Sequence, residues 1–348
     1  MPRVVGVDPG TVTIDLCGLH DGELCLDRSI PTAGALADPG NFLSLLRSAG
    51  ALDLVAGPSG YGLPLVAAAA ATEEELRLAF LAAPGEEGGI GGLRRLSAVL
   101  AASGLPVVYT PGVIHLDTVP DHRKVNRVDL GTADKVAVAA LAIADQSQRL
   151  GCSATETSFV LLELGGAFSA GLAVRDGRIV DGLGGTSGPI GWRASGALDG
   201  EVAFLAGQVT KGLLFRGGVE YVARAEPGGR RLALEAFVEG ALKAARSLSV
   251  AAPGAREVVV SGRALEQPDV SAWLEEGLET VAPVHRLRGF ARTAKPAAQG
   301  AAILADGLAG GRWRPVTDAL RIRSARGSIL DHLVVIAPDD ARRRLGLS

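Results

Sequence analysis

Asp8 and Glu163 are the two residues whose type and setting best suit them to chemistry. Asp8 closes the apolar run Val4-Val5-Gly6-Val7 and is followed by Pro9-Gly10-Thr11. Glu163 closes Phe159-Val160-Leu161-Leu162 and is followed by Leu164-Gly165-Gly166-Ala167-Phe168-Ser169. In both, an acid stands at the end of a strand-like run, directly before a glycine turn. Glycine lets backbone N–H groups approach an anion closely, and the acid can hold a cation beside it. One such stretch is ordinary hairpin chemistry, because proline and glycine favour tight turns. Two of them, about half a chain apart, suit a site that grips a metal-bound polyphosphate from both sides.

The elements that must carry these residues are legible around them. Residues 3–7, 14–20 and 23–29 read as a meander of strands, with Asp21-Gly22 as a turn. Residues 158–163, 169–175 and 178–182 repeat the plan, with Asp176-Gly177 as a turn, as a fold-level echo without detectable sequence identity. Between them, a helix at 41–49 and a strand at 52–56 lead into Gly57-Pro58-Ser59-Gly60-Tyr61-Gly62-Leu63-Pro64. A loop at the C-terminal end of a strand in an α/β sheet is where ligands commonly bind, which makes Ser59, Gly60 and Tyr61 candidate substrate contacts. A plain turn is the alternative. Residues 84–92 read as a loop able to act as a lid, followed by a helix at 93–102 and a strand at 107–109.

Thr132 is a suitable N-cap for a helix reaching about residue 150, which places Asp134 in its first turn. An acid is favoured there by the macrodipole alone, so Asp134 is either a helix-end residue or a catalytic carboxylate. Gly184-Gly185-Thr186-Ser187-Gly188-Pro189 forms a second phosphate-sized loop, followed by helical segments at 200–208 and 232–251. A strand at 257–261 runs into Gly262-Arg263, then a helix at 271–279, a strand at 284–287, and a helix at 297–308 opened by Pro296. Residues 312–348 form an arginine-rich tail with one apolar, strand-like run at 330–337.

Composition narrows the class. A chain of 348 residues with 47% hydrophobic residues has enough material for two globular cores. The net charge of −3 offers no basic field for nucleic acid or anionic lipid. Three cysteines (Cys17, Cys25, Cys152) contain no CxxC pair and fit a reducing compartment, with Cys17 and Cys25 expected as small core residues. The five histidines show no metal-ligand spacing, and the apolar run at 63–71 is too short to span a bilayer. A soluble, cytoplasmic protein is the expectation. A Rossmann dehydrogenase is disfavoured, because Gly-x-Gly-x-x-Gly is absent from the first strand turn.

With these residues in view, the chain resembles the acetate and sugar kinase/Hsc70/actin (ASKHA) superfamily over roughly residues 1–311. Its second half is similar to the acetate/butyrate kinase branch. The resemblance rests on Leu164-Gly165-Gly166-Ala167-Phe168-Ser169, Gly177-Arg178-Ile179-Val180-Asp181, and Gly188-Pro189 through Arg193 to Ser195-Gly196. Together with residues 57–64 and 129–135, these look like the DUF1464 family, described as butyrate kinase-like. Glu163 is a departure, standing where sugar kinases have Asp and butyrate kinases have His.

The resemblance implies an α/β protein of two actin-like ATPase (ribonuclease H-like) domains with nucleotide between them. Residues 1–152 and 153–311 would be the domains, with 312–348 packing on the core or a partner subunit. It implies ATP and Mg²⁺, with Asp8 holding the metal through water. Gly10 and Thr11 would contact the phosphates from one side, and Gly165, Gly166 and Ala167, beside Glu163, from the other. Gly185 and Thr186 would add to the phosphate loop, and Gly262 and Arg263 would lie against adenosine. The partner is a small molecule; no nucleic acid or membrane is implied, and a homodimer is compatible.

The acceptor decides the remaining chemistry. An alcohol must lose a proton, so Asp134 would serve as base. A carboxylic acid is already ionised and instead needs a cationic clamp, for which Arg193 and Arg127 are the candidates. A short-chain carboxylic acid is the preferred acceptor. A sugar or other alcohol kinase, a phosphohydrolase on the same fold, and a non-catalytic nucleotide-binding regulator are the alternatives.

Overall fold

The computed structural model describes all residues except 11, 58, 82–89, 226 and 348, and the backbone alone at 90–94. The expected lid at 84–92 therefore lies mostly outside the described residues. A helix is already formed from Ile90 to Ala101.

The first sheet contains β1 (Arg3–Pro9), β2 (Thr13–His20), β3 (Glu23–Pro31), β4 (Leu54–Gly57), β5 (Val66–Ala67) and β6 (Val107–Tyr109), in the order β3-β2-β1-β4-β6-β5. The second contains β7 (Phe159–Leu164), β8 (Ser169–Arg175), β9 (Arg178–Leu183), β10 (Val258–Ser261) and β11 (Val284–Arg286), in the order β11-β10-β7-β8-β9. Each sheet opens with an antiparallel meander and then adds parallel strands on the other side of its first strand. The echo in the sequence is thus an echo in topology.

Period-2 alternation explains how both sheets are covered on two faces. On β1, Val5 and Val7 join an outer cluster with Phe42, Leu46 and Tyr109, whereas Val4 enters a central cluster. On β7, Val160, Leu162 and Leu164 face Phe237 and Leu274 in the second outer cluster, whereas Phe159 and Leu161 enter the same central cluster. That central core is built on the helices Ala133–Leu150 and Pro296–Leu308, so it takes side chains from both sheets.

The helix Pro296–Leu308 follows the second sheet in sequence yet packs against β1. Gly6 permits this: a Cβ there would sit 2.2 Å from Ala302 N. The two central helices cross as closely, since a Cβ on Gly300 would lie 1.7 Å from the Ala137 carbonyl oxygen. Gly300→Ala is therefore expected to destabilise the protein by about 1–3 kcal/mol, as overpacking does. Urea unfolding of this variant at an unchanged m-value would measure it, and an unaltered midpoint would contradict so tight a crossing.

The tail departs from expectation. Residues 330–337 form turns rather than a strand, because no sheet edge meets them. The Val334 and Val335 N–H groups instead donate to Asn126 Oδ1, and the two side chains are 78% and 80% exposed. Leu320, Ile322, Ile329 and Leu330 do belong to the central core. Cys17 is buried as expected, but Cys25 is exposed on β3.

Candidate active site

The turns after β1 and β7 meet at a cavity of about 980 Å³ whose walls come from both sheets. Asp8 lines it, opposite Asp15 near the end of the β1–β2 pairing. Burial, reinforced by the charge of Asp134, pushes the Asp8 carboxyl up to about 7, while Lys295 and Lys135 pull it down.

Two lysines organise the surrounding acids. Lys295 caps the helix Pro296–Leu308, and its Nζ donates to Asp15 Oδ2 at 2.7 Å and Thr13 Oγ1 at 2.5 Å. Lys135, in the first turn of Ala133–Leu150, lies 2.7 Å from Asp134 Oδ2 and 2.7 Å from Glu163 Oε2, with its side chain only 15% exposed. It thereby ties the start of the central helix to the end of β7. Burial opposes the charge on Lys135, but the two acids outweigh it and raise the pKa. Burial likewise would raise Asp134, yet Lys135 and the Thr132 hydroxyl hold its carboxyl below the usual range.

The glycine loops are set by close approach. Gly165 N donates to Phe168 O at 3.0 Å, closing the turn after β7, and the Arg193 and Ala194 N–H groups both donate to Ala167 O. Gly262 has φ +107°, and a Cβ there would lie 2.3 Å from Leu164 O, so only glycine lets β10 turn against this loop. Asp129 is buried and accepts from both Thr186 N and Thr186 Oγ1 at 2.9 Å, fixing the 184–189 loop beside the start of the central helix. The Thr186 hydroxyl is thus engaged by protein. Tyr61 packs under Lys211, whose Nζ is 5.2 Å from the ring centre, and Phe168 meets Phe215 edge-on at 4.7 Å. Burial, aided by the charge of Asp129, pushes the Tyr61 phenol well above its usual range.

Of the residues singled out by sequence, Asp8, Gly10, Ser59, Gly60, Tyr61, Asp134, Glu163, Gly165, Gly166, Ala167, Gly185, Thr186, Arg193, Gly262 and Arg263 line this cavity. Thr11 lies outside the described residues. Arg127 is elsewhere: the short helix Asp121–Lys124 turns the chain outward, leaving Arg127 exposed. Ser59 is buried, and its hydroxyl donates to Thr110 O at 2.7 Å.

Sequence reasoning missed Asp15, Lys135, Lys211 and Lys295. A signal existed. The chain has only five lysines among 35 basic residues, and three of the five line the cavity.

A family model matches residues 6–335, nearly the whole chain. The chain belongs to that family, described as a protein of unknown function (DUF1464). Comparison with curated proteins gives no match. Among solved structures, a propionate kinase from Francisella tularensis is similar with a TM-score of 0.60 at 11% identity, over 86% of this chain and 99% of that one. The acetate kinase of Entamoeba histolytica gives 0.57 at 12% identity, over 80% and 87%. The Porphyromonas gingivalis acetate kinase gives 0.55 at 14%, over 80% and 88%. The chain therefore shares the α/β fold of these kinases. Among its described residues, no helix is long and apolar enough to cross a membrane.

Proposed function

We propose that this protein is an ATP-dependent kinase that phosphorylates a short-chain carboxylic acid to an acyl phosphate. The observation that supports it most is the meeting of the two carboxylate–glycine turns at one cavity, joined by Lys135 between Asp134 and Glu163. Phosphoryl transfer demands positioning and charge neutralisation more than covalent chemistry, and this arrangement offers both. The loops at Gly10 and at Gly165–Ala167 would cradle the phosphates, with Gly262 and Arg263 beside the nucleoside.

The residues present suit Mg²⁺. Among the described residues no cluster of three or more His, Cys, Asp or Glu forms a ready metal cage. Mg²⁺ does not need one, since it keeps several waters and is commonly bound by one or two carboxylates plus substrate phosphates. Asp8 would hold it, with Asp15 behind, whose buried Oδ1 has no hydrogen-bond partner. The ion would supply charge neutralisation on the phosphates.

The state of Asp134 favours an acid as acceptor. A general base works best with a pKa near the operating pH, whereas Lys135 holds Asp134 below the ordinary carboxylate range. A carboxylate acceptor needs no base, and Arg193 and Lys211 line the cavity as cations for it. An alcohol acceptor is the second reading, favoured by Asp8, whose pKa of about 7 would suit a base.

The direct test is calorimetric titration with Mg-ADP and Mg-ATP, followed by label transfer from ATP to a panel of short acids. Saturable binding and a labelled acid are expected. Folded protein that ignores both nucleotides at millimolar concentration would end the kinase reading.

A proton should move as well. The folded state keeps a proton on Asp8 up to about pH 7, whereas the unfolded chain loses it near 3.8. Raising pH from 4 to 7 therefore removes stability contributed by this group. A cation drawn to Asp8 displaces the same proton, so Mg-nucleotide binding at pH 6.5 should release part of one proton. Titration in two buffers of different ionisation enthalpy measures this, and Asp8→Asn should abolish it. Identical heats in both buffers for the parent protein would remove Asp8 from the cation site.

A further inference from the structure

The β8–β9 turn at Asp176-Gly177 lies at the opposite end of β8 from Ser169 and the nucleotide-sized cavity. Seven residues of strand separate the two by about 20 Å. Beside this turn is a second cavity of about 320 Å³, onto which Arg175, Arg178, Arg321 and Arg326 converge, with Asp117 and Asp176.

The charges there do not balance. Arg321 is held by Asp117 Oδ2 at 2.7 Å, and the Asp117 side chain is only 12% exposed. Arg175, Arg178 and Arg326 make no side-chain hydrogen bond or ion pair among the described residues. Arg175 and Arg178 are direct cross-strand partners in the β8–β9 register, a like-charge pairing that weakens a hairpin unless an anion sits between or beside the two.

Two of the four arginines are fixed by the tail rather than by the sheet. Arg326 N donates to His115 O at 2.9 Å. Arg321 holds φ +54°, a left-handed conformation that non-glycine residues seldom adopt. A strained backbone that places a guanidinium in a cavity is a reason to look for a ligand. Guanidinium forks match the oxygens of phosphoryl groups in pairs, and three of these forks have no partner among the described residues.

We infer that this second cavity binds a multiply charged phosphoryl compound, held by Arg175, Arg178 and Arg326, with Arg321 anchored by Asp117. The site is built by the β8–β9 hairpin and the C-terminal tail together. It shares no lining residue with the first cavity, and the inference stands whether or not the kinase reading does. Free polyphosphate and the phosphate monoester of a small metabolite present the same chemistry.

The test titrates the full chain with pyrophosphate and, separately, with glycerol 3-phosphate at about 0.15 M salt, where weak surface pairing is screened. One site with a dissociation constant on the order of 1 mM or tighter is expected for at least one of them. Tighter pyrophosphate assigns the polyphosphate source, and tighter glycerol 3-phosphate the monoester. The double variant Arg178→Gln/Arg326→Gln should weaken binding by roughly tenfold or more, with the unliganded melting temperature unchanged. Arg175→Glu, a charge reversal on the exposed hairpin, is the second variant and should abolish binding. Binding of equal strength in both variants would overturn the inference, as would the absence of binding by either probe to the parent protein.

Discussion

Lys135→Met is expected to slow phosphoryl transfer by roughly 10²–10³-fold while leaving Mg-nucleotide affinity within a few-fold. An ammonium has three N–H donors. Asp134 Oδ2 accepts one of them and Glu163 Oε2 forms an ion pair with the ammonium, each at 2.7 Å, which leaves a donor for an oxygen of the transferring group in the same cavity. The two acids also keep the ammonium charged against burial, so its charge is in place before any substrate arrives. A fixed charge aimed at where negative charge develops lowers the barrier more than it tightens the ground state. The effect should therefore fall on kcat and not on nucleotide KM or Kd.

Methionine would leave two acids facing each other without their cation, so melting temperature is measured alongside. Lys135→Arg, which keeps the charge but not the compact geometry, should recover part of the rate. If Lys135→Met instead lowered stability and left kcat unchanged, the residue would be a structural bridge between the central helix and β7.

The reason Lys135 escaped a reading of the sequence is physical. A lysine in the first turn of a helix opposes the macrodipole and looks like an incidental surface charge. Its importance arises from Glu163, which only the packing of the central helix against β7 brings within 2.7 Å. The same logic explains Lys295, whose partner Asp15 is nearly the whole chain away.

Local patterns were legible where local physics decides. The two meanders follow from alternating apolar residues and Asp-Gly turns; Thr132 does stand at the N-cap position of the central helix, but its hydroxyl donates to Asp134 rather than capping the helix. The placement of Pro296–Leu308 was not legible, because it depends on Gly6 and Gly300 permitting close approach to distant backbones. Arg127 misled for the opposite reason. It is two residues from the buried Asp129, but the intervening turn sends it to the outer surface. The apolar run at 330–337 had strand-like composition and no strand to pair with, and composition alone cannot supply a partner.

The acceptor can be identified by what its product does and by which residue the reaction misses. With a carboxylic acid as acceptor, hydroxylamine should trap the acyl phosphate as a hydroxamate. Asp134→Asn should then slow turnover by only about tenfold or less, since no proton has to be removed and its neighbour Lys135 already keeps it a weak base. Arg193→Gln should raise the acceptor KM on the order of 10²-fold, because an anion approaching anionic ATP needs its charge compensated. The Arg193 backbone is fixed to the Ala167 carbonyl beside the phosphate turn, so its position relative to that turn should survive the substitution. With an alcohol as acceptor the ranking inverts. No hydroxamate would form, Arg193→Gln would be mild, and loss of the base would cost roughly 10²–10⁴ in rate. Asp8 complicates the alcohol case, because a bound cation would lower the pKa that makes it a candidate base. The decisive pattern is therefore the pair of measurements taken together. Hydroxamate with a strong Arg193 effect and a weak Asp134 effect supports the acid; a phosphorylated alcohol with the reverse ranking refutes it.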